Sequence, residues 1–308
     1  MKKHSKVYVA GHRGLVGSAI VRALKARGFG NLTLRTRDEL ELLDQKKVAD
    51  FFKKEKPEYV FLAAAKVGGI MSNKNYPAEF IHENLVVQSN VIENSYVSGI
   101  KKLLFLGSSC IYPRLSPQPI KEEYFLSGPL EPTNRAYAIA KIAGIISCQS
   151  YNEEYGTNFI SAMPTNMYGP NDNFDLKNSH VLPALIRKFH EAKKTGKKAL
   201  TLWGTGVARR EFLHVDDFAD AAVFLMEHYN RSEIINVGTG EDISIKALAQ
   251  LIKKIVGFKG RVVWDGKNPD GMPRKRLDVS KIHALGWRHQ IPLEEGVRST
   301  YKWYKQNK

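Results

Sequence analysis

The chain has 308 residues, with 47 Lys and Arg against 31 Asp and Glu (formal charge +16), 43% apolar and 25% charged residues. Such a composition excludes intrinsic disorder, collagen and coiled coil, and the length supports one large domain or two unequal ones with a substantial core. Two cysteines, Cys110 and Cys148, are too few for a disulfide scaffold and suit a reducing, cytoplasmic setting.

The apolar run at 7–10 is too short for the core of an export signal. No stretch approaches the ~18 apolar residues of a membrane span, so a soluble protein with no membrane partner is expected. A pI near 9.6 raises the question of nucleic acid. The basic residues, however, are scattered in small groups such as Lys193-Lys194, Lys197-Lys198 and Arg274 to Arg276, with no aromatic interleaving and no zinc-finger spacing. A solvated basic surface that attracts small anionic ligands is expected, with neither nucleic acid nor metal.

Short β-branched runs alternate with helical-period segments in the first half: KVYVA, a helix over 15–26, NLTLRT, a helix over 39–54, and EYVFLAAA. The pattern continues with helix 80–98, strand KKLLFLGSS, helix 136–155 and strand NFISAM. This is an α/β chain with a doubly wound parallel sheet. After Pro164 the character changes to loops rich in Pro, Gly and Asn, a helix over 180–194, then EFLHVDDFADAAVFLM as helix and EIINVGTG as strand. The expected division is a dinucleotide-binding domain over 1–164, with a return to its sheet near 212–240. Residues 165–308 then form mainly a smaller, discontinuous substrate lobe.

Directly after the first strand stands Gly11-His12-Arg13-Gly14-Leu15-Val16-Gly17, opening a helix. Glycines at this spacing allow a tight turn and close backbone approach to a pyrophosphate, whose charge the helix N-terminus favours; the bland alternative is a merely tight turn. Counting 20 residues past Gly17 reaches Arg37, flanked by Arg35 and Thr36, where an NAD site normally carries a carboxylate. Together with Arg13 this favours NADP(H). Asp38 is the objection, but Asp38 followed by Glu41 also reads as a helix N-cap with its capping-box partner.

Tyr137 and Lys141 lie one helical turn apart, although Tyr301 with Lys305 and Tyr304 with Lys308 share that spacing. What separates the first pair is its place, opening the helix that follows the Gly107-Ser108-Ser109-Cys110 strand end. There Ser108, Tyr137 and Lys141 can converge on a carbonyl: serine donates to it, tyrosine transfers a proton and the lysine charge lowers the phenol pKa. On an extended strand Ser108 and Cys110 would face the same side and Ser109 the other.

Taken together, GHRGLVG, LRTRDEL, AAAKVGGI, LGSSCIYP, EPTNRAYAIAKIAG, MPTNMYGPNDNF, NSHVLPALIRKFHEA, REFLHVDD, INVGTG and PDGMPRK run nearly end to end. In these the chain resembles the extended short-chain dehydrogenase/reductase family and, within it, the GDP-L-fucose synthases, which are GDP-4-keto-6-deoxy-D-mannose 3,5-epimerase-4-reductases. The resemblance implies that Ser108, Tyr137 and Lys141 form the reductase triad and that Cys110 and His180 form the epimerase acid/base pair. It further implies that the glycine loop, Arg37, Lys141, Pro164, Thr165, Asn166, Met167 and His180 bind NADP(H), and that Lys188, Trp203, Arg210 and Asp270 contact the GDP-sugar. A homodimer paired through helices 80–98 and 136–155 is implied as well.

Each assignment has a plainer competitor. Cys110 could be a buried strand cysteine, His180 an exposed cap, Trp203 simple packing; Cys148 is read as core. At the level of activity the competitors are a related epimerase or dehydratase that retains its cofactor, and a non-catalytic NADP-sensing protein.

Overall fold

The computed structural model describes residues 1–176, 178–266 and 272–308. In chain order it contains β1 (Val7–Ala10), α1 (Leu15–Ala26), β2 (Leu32–Thr33), α2 (Gln45–Glu55), β3 (Tyr59–Leu62), α3 (Ile70–Asn75), α4 (Pro77–Val97), β4 (Lys102–Leu106), α5 (Arg135–Tyr155) and β5 (Phe159–Pro164). There follow β6 (Asn166–Tyr168), α6 (Val181–Lys194), β7 (Ala199–Trp203), β8 (Arg209–Arg210), β9 (Phe212–His214), α7 (Val215–His228) and β10 (Ile235–Val237). The last elements are β11 (Ile243–Ser244), α8 (Ile245–Val256), β12 (Arg261–Asp265), β13 (Arg274–Lys275), α9 (Ser280–Ala284) and α10 (Leu293–Asn307).

Six strands form the main sheet in the order β10-β5-β4-β3-β1-β2, every pairing parallel. Their side chains are almost all buried, as expected for a sheet covered by helices on both faces. The chain runs from β1 outward to β2 and then crosses back to β3, so the order reverses beside β1. At such a switch point the carboxyl ends of the strands open a crevice. A second core joins α6, α8 and α10 to β7 and β12 through Leu182, Ile186, Phe189, Leu248, Ile252 and Val297.

The expected α/β fold with a parallel sheet is the fold observed, including the sixth strand after α7. Four local expectations are corrected. The helix placed over 39–54 begins only at Gln45, because Asp44 caps it by accepting from the Lys47 amide at 3.0 Å. Asp38 is exposed and caps nothing; the reciprocal cap lies between Thr36 and Glu39, with Thr36 N–H donating to the Glu39 carboxylate at 2.7 Å. The run EFLHVDDFADAAVFLM starts as strand β9, which pairs in parallel with β6, before turning into α7.

Finally, the extended geometry drawn for 108–110 is not present. β4 stops at Leu106 and residues Ser109–Ile111 form a 3-10 turn capped by Ser108, whose Oγ accepts from the Cys110 amide at 3.2 Å. Ser108 and Cys110 still share the cleft, because the turn buries Ser109 and leaves its neighbours part-exposed. The loop beyond is tied to β10 by Asn236, which accepts from the Tyr112 hydroxyl at 2.6 Å and donates to the Ile120 carbonyl at 3.0 Å.

Candidate active site

At the carboxyl end of β1 the loop over 11–17 closes on itself. Gly11 holds φ +81°, and a Cβ on Gly17 would sit 2.2 Å from the Gly11 carbonyl oxygen, so neither position tolerates a side chain. The N-cap of α1 is Gly14, with no side-chain cap on the first amides. Those donors, together with the exposed Arg13 beside them, suit a pyrophosphate. His12, Leu15 and Val16 are half-buried behind the loop, and the His12 Nδ1 is buried without a hydrogen-bond partner among the described residues. Two of the cations expected near the 2′-phosphate are already engaged: Arg37 pairs with Glu41 at 2.6 Å and Arg35 with Glu55 at 2.7 Å.

Across the crevice, α5 brings Tyr137 and Lys141 under the Ser108 turn. Lys141 is buried and donates to the Leu106 carbonyl at 2.8 Å, its ammonium 5.9 Å from the centre of the Tyr137 ring. The Tyr137 ring packs edge-on against Phe80. Here the electrostatic expectation is corrected. Burial holds the Tyr137 phenol above its usual value, the nearby Cys110 thiol pushes the same way, and only a hydrogen bond with Ser108 opposes them. Lys141 does not dominate, and its own pKa is pushed down by burial to about 8. The phenol therefore remains protonated at neutral pH, the form that can donate.

Cys110 is governed by residues distant in sequence. Burial alone would raise the thiol pKa, but the Lys275 charge, hydrogen bonds with Ser108 and Lys275, and the charge of Arg210 together bring it below the ordinary value. The Lys275 ammonium lies 3.3 Å from Sγ. Lys275 and Arg210 are register partners across the parallel pair β8 and β13; Lys275 contacts the thiol, and the Arg210 charge also acts on it. His180 stands at the N-cap of α6, with part of its surface open to solvent, and its pKa is lowered first by desolvation and then by the Lys275 charge. One ammonium thus acts on both groups assigned to proton transfer at carbon.

In the sequence Lys275 stands only within the basic group Arg274 to Arg276 and carries no sign of a place in the site. The structure leaves it 9% exposed. Pro164, Thr165, Asn166 and Met167 line the carboxyl end of β5 and the start of β6, with the Asn166 amide donating to the Glu211 carbonyl at 2.8 Å. On α6, Lys188 lies over the face of Trp203 at 5.1 Å. Trp203 is 54% exposed, so it is not a buried packing residue. Cys148 is fully buried on α5, as expected of a core residue. Asp270 lies outside the described residues.

Residues 7–238 match the family described as NAD dependent epimerase/dehydratase. The chain is 59% identical to the putative GDP-L-fucose synthase 2 of Arabidopsis thaliana, covering 100% of this chain and 94% of that one. It is 55% identical to the GDP-L-fucose synthase of Escherichia coli K12, covering 98% and 97%. Among solved structures, the GDP-mannoheptose C4 reductase of Campylobacter jejuni with NADP bound superposes with a TM-score of 0.91 at 47% identity, covering 99% of each chain. With a family match over most of its length and relatives of this identity along the whole of it, the chain belongs to the NAD dependent epimerase/dehydratase family, the extended short-chain dehydrogenase/reductases, and within it to the GDP-L-fucose synthases.

Proposed function

We propose that this protein is a multifunctional enzyme that converts GDP-4-keto-6-deoxy-D-mannose to GDP-L-fucose, epimerising C3 and C5 and reducing C4 with NADPH. The observation that carries it is the meeting in one cleft of a proton-donor phenol, Tyr137, and a cation-activated thiol, Cys110, beside a dinucleotide loop. The C4 ketone acidifies the hydrogens at C3 and C5. The Cys110 thiolate removes one hydrogen, the negative charge passes to the C4 oxygen, and His180, acting as the imidazolium, returns a proton on the opposite face; exchange with water restores thiolate and imidazolium before the second hydrogen is taken. The hydride for C4 would come from NADPH when bound. Ser108 orients the ketone oxygen, Tyr137 protonates it as the new C–O–H forms, and Lys141 holds positive charge near the phenol. Lys188, Trp203 and Arg210 hold the GDP portion. The glycine loop, Arg37 and the 164–167 segment hold the cofactor.

We further take residues 1–164, with a return over 212–240, as the cofactor domain and the remainder as the substrate lobe, a division that the two cores follow in the main, although Leu277, Val279, Ile282 and Trp287 pack in the first core and Phe212 in the second. A cytoplasmic homodimer fits the outer faces of α4 and α5, where Val97, Ile139, Ile146 and Tyr155 are exposed and Tyr96 stacks on Tyr155 at 4.3 Å. No helix of the described residues is long and apolar enough to cross a membrane.

Incubation of the purified protein with NADPH and GDP-4-keto-6-deoxy-D-mannose tests the central reading. GDP-L-fucose should form with one NADPH oxidised per turnover. Turnover without net NADPH oxidation would mean a cofactor-retaining epimerase. An unepimerised product would mean a C4 reductase of the kind found in C. jejuni, and absence of turnover would end the proposal.

Cofactor choice gives a second expectation. Arg37 must leave Glu41 to meet a 2′-phosphate, so Arg37→Ala should weaken NADPH relative to NADH by roughly 1.5–3 kcal/mol, the worth of a charge-assisted hydrogen bond. Arg13→Ala should likewise weaken NADPH more than NADH, since the exposed Arg13 stands beside the loop that takes the pyrophosphate. Titration of each variant with both cofactors decides; equal losses for NADPH and NADH would refute the assignment.

A further inference from the structure

Glu211 is fully buried between Arg210 and Phe212, and a carboxylate in that setting survives only if every oxygen is hydrogen-bonded. Backbone amides supply those bonds. Oε1 accepts from Thr239 N–H at 2.6 Å and Gly240 N–H at 2.9 Å, and Oε2 accepts from Leu277 N–H at 2.7 Å. The Glu211 amide in turn donates to the Lys275 carbonyl at 3.3 Å. One residue therefore grips the chain at Lys275 and again two positions later. Such a grip matters because β13 is only two residues long and, among the described residues, pairs with β8 alone. So short a ladder cannot by itself fix where a long lysine side chain ends.

We propose that Glu211 is a positioning residue for proton transfer at carbon: its carboxylate clamps the Lys275–Leu277 segment against β8 and thereby keeps the Lys275 ammonium on the Cys110 thiol. This rests on the reading of Cys110 as the base. The opposite edge of the segment is held by Ile120, whose amide donates to the Arg276 carbonyl at 2.7 Å, so loosening the Glu211 grip leaves the segment docked but imprecise. In Glu211→Gln the side chain keeps one acceptor oxygen and presents an NH2 where the second oxygen stood, so it cannot satisfy both the 239–240 turn and Leu277.

The sign of the effect separates positioning from simple electrostatics. Removing a negative charge near the thiol would by itself make the thiolate easier to form. Displacing Lys275 makes it harder. The groups that face Sγ are Lys275, Arg210, Ser108 and Tyr137, and Glu211→Gln alters none of them chemically.

The experiment is the pH dependence of Cys110 alkylation by iodoacetamide, read by mass spectrometry without substrate, with buried Cys148 as the unreactive reference and NADPH binding as the check on folding. Glu211→Gln should move the alkylation midpoint upward by about one pH unit, an approximately tenfold slower reaction below the midpoint, recovered at high pH. Lys275→Met should move it at least as far, and the double variant no further than Lys275→Met alone. A midpoint that is unchanged or lower in Glu211→Gln, or shifts that add in the double variant, would overturn the proposal. If Glu211→Gln does not fold, Gly238→Ala carries the same expectations, because its Cβ would lie 2.1 Å from Oε1 and displace the carboxylate. The readout needs no turnover. A wild-type enzyme that fails to convert the GDP-sugar would count against the proposed function and leave the Glu211 result standing or falling by itself.

Discussion

Tyr137→Phe should slow NADPH-dependent reduction at C4 by about 10²–10⁴-fold, the range expected when a positioned general acid is removed. The ring, its edge-on packing against Phe80 and the Lys141 bond to the Leu106 carbonyl all remain, so NADPH affinity and thermal stability should stay near the wild-type values. Exchange of the C3 and C5 hydrogens should continue, because Cys110, His180 and Lys275 are untouched. The pH dependence follows from the burial of Lys141. Its folded pKa is lowered to about 8, so the ammonium is fully present below that value and lost above it, and reduction by the wild type should decline as the pH rises through about 8. The phenol, held high by burial, contributes no titration near neutrality. Single-turnover oxidation of NADPH, with cofactor titration in parallel, makes the test. Reduction at the wild-type rate in Tyr137→Phe would remove the phenol from the mechanism, and a parallel collapse of NADPH binding would make its role structural.

How much of this was legible beforehand depends on whether the determining interaction is local. The glycine loop was legible because its constraint is carried by residues within one turn: the positive φ of Gly11 and the crowding at Gly17 are both local to the motif. Helix α1 was legible to the residue for the same reason. The start of α2 was misplaced because two overlapping capping patterns compete between Thr36 and Asp44, and the sequence offers no way to rank them. β2 shrank to two residues since pairing with β1 lasts only that far. The turn at 109–111 was missed because a strand end and a serine-capped 3-10 turn read alike in GSSC.

Lys275 illustrates the limit most clearly. It reaches Cys110 across 165 positions of sequence, through the register of β13 on β8 and the grip of Glu211. Nothing in the local pattern of an Arg-Lys-Arg triplet distinguishes a solvated cation from a buried one. The phenol follows the same rule, since the same-face spacing of Tyr137 and Lys141 gives their proximity but not the burial that outweighs it.

Cys110→Ser should nearly abolish deuterium wash-in at C3 and C5 when the reaction runs in D2O, because a serine hydroxyl is far too weak an acid to present a ready base even beside Lys275. The substitution conserves size and leaves the Ser108 cap and α5 in place, so hydride delivery to C4 should persist and yield an unepimerised GDP-6-deoxyhexose. His180→Gln should act at the other half of the cycle. Hydrogens would still be removed by the thiolate, but their return on the opposite face would slow, giving partly epimerised products with C4 reduction less affected. In the wild type, wash-in should increase with pH and level off at a value below that of an ordinary thiol, as the Lys275 and Arg210 charges require. Lys275→Met should displace that profile upward without changing its shape. Deuterium content and product configuration, measured for all three variants, separate removal of the hydrogen from its replacement. Undiminished wash-in at both carbons in Cys110→Ser would show that the hydrogen is taken by some other group and that the cations around the thiol serve the substrate's phosphates instead.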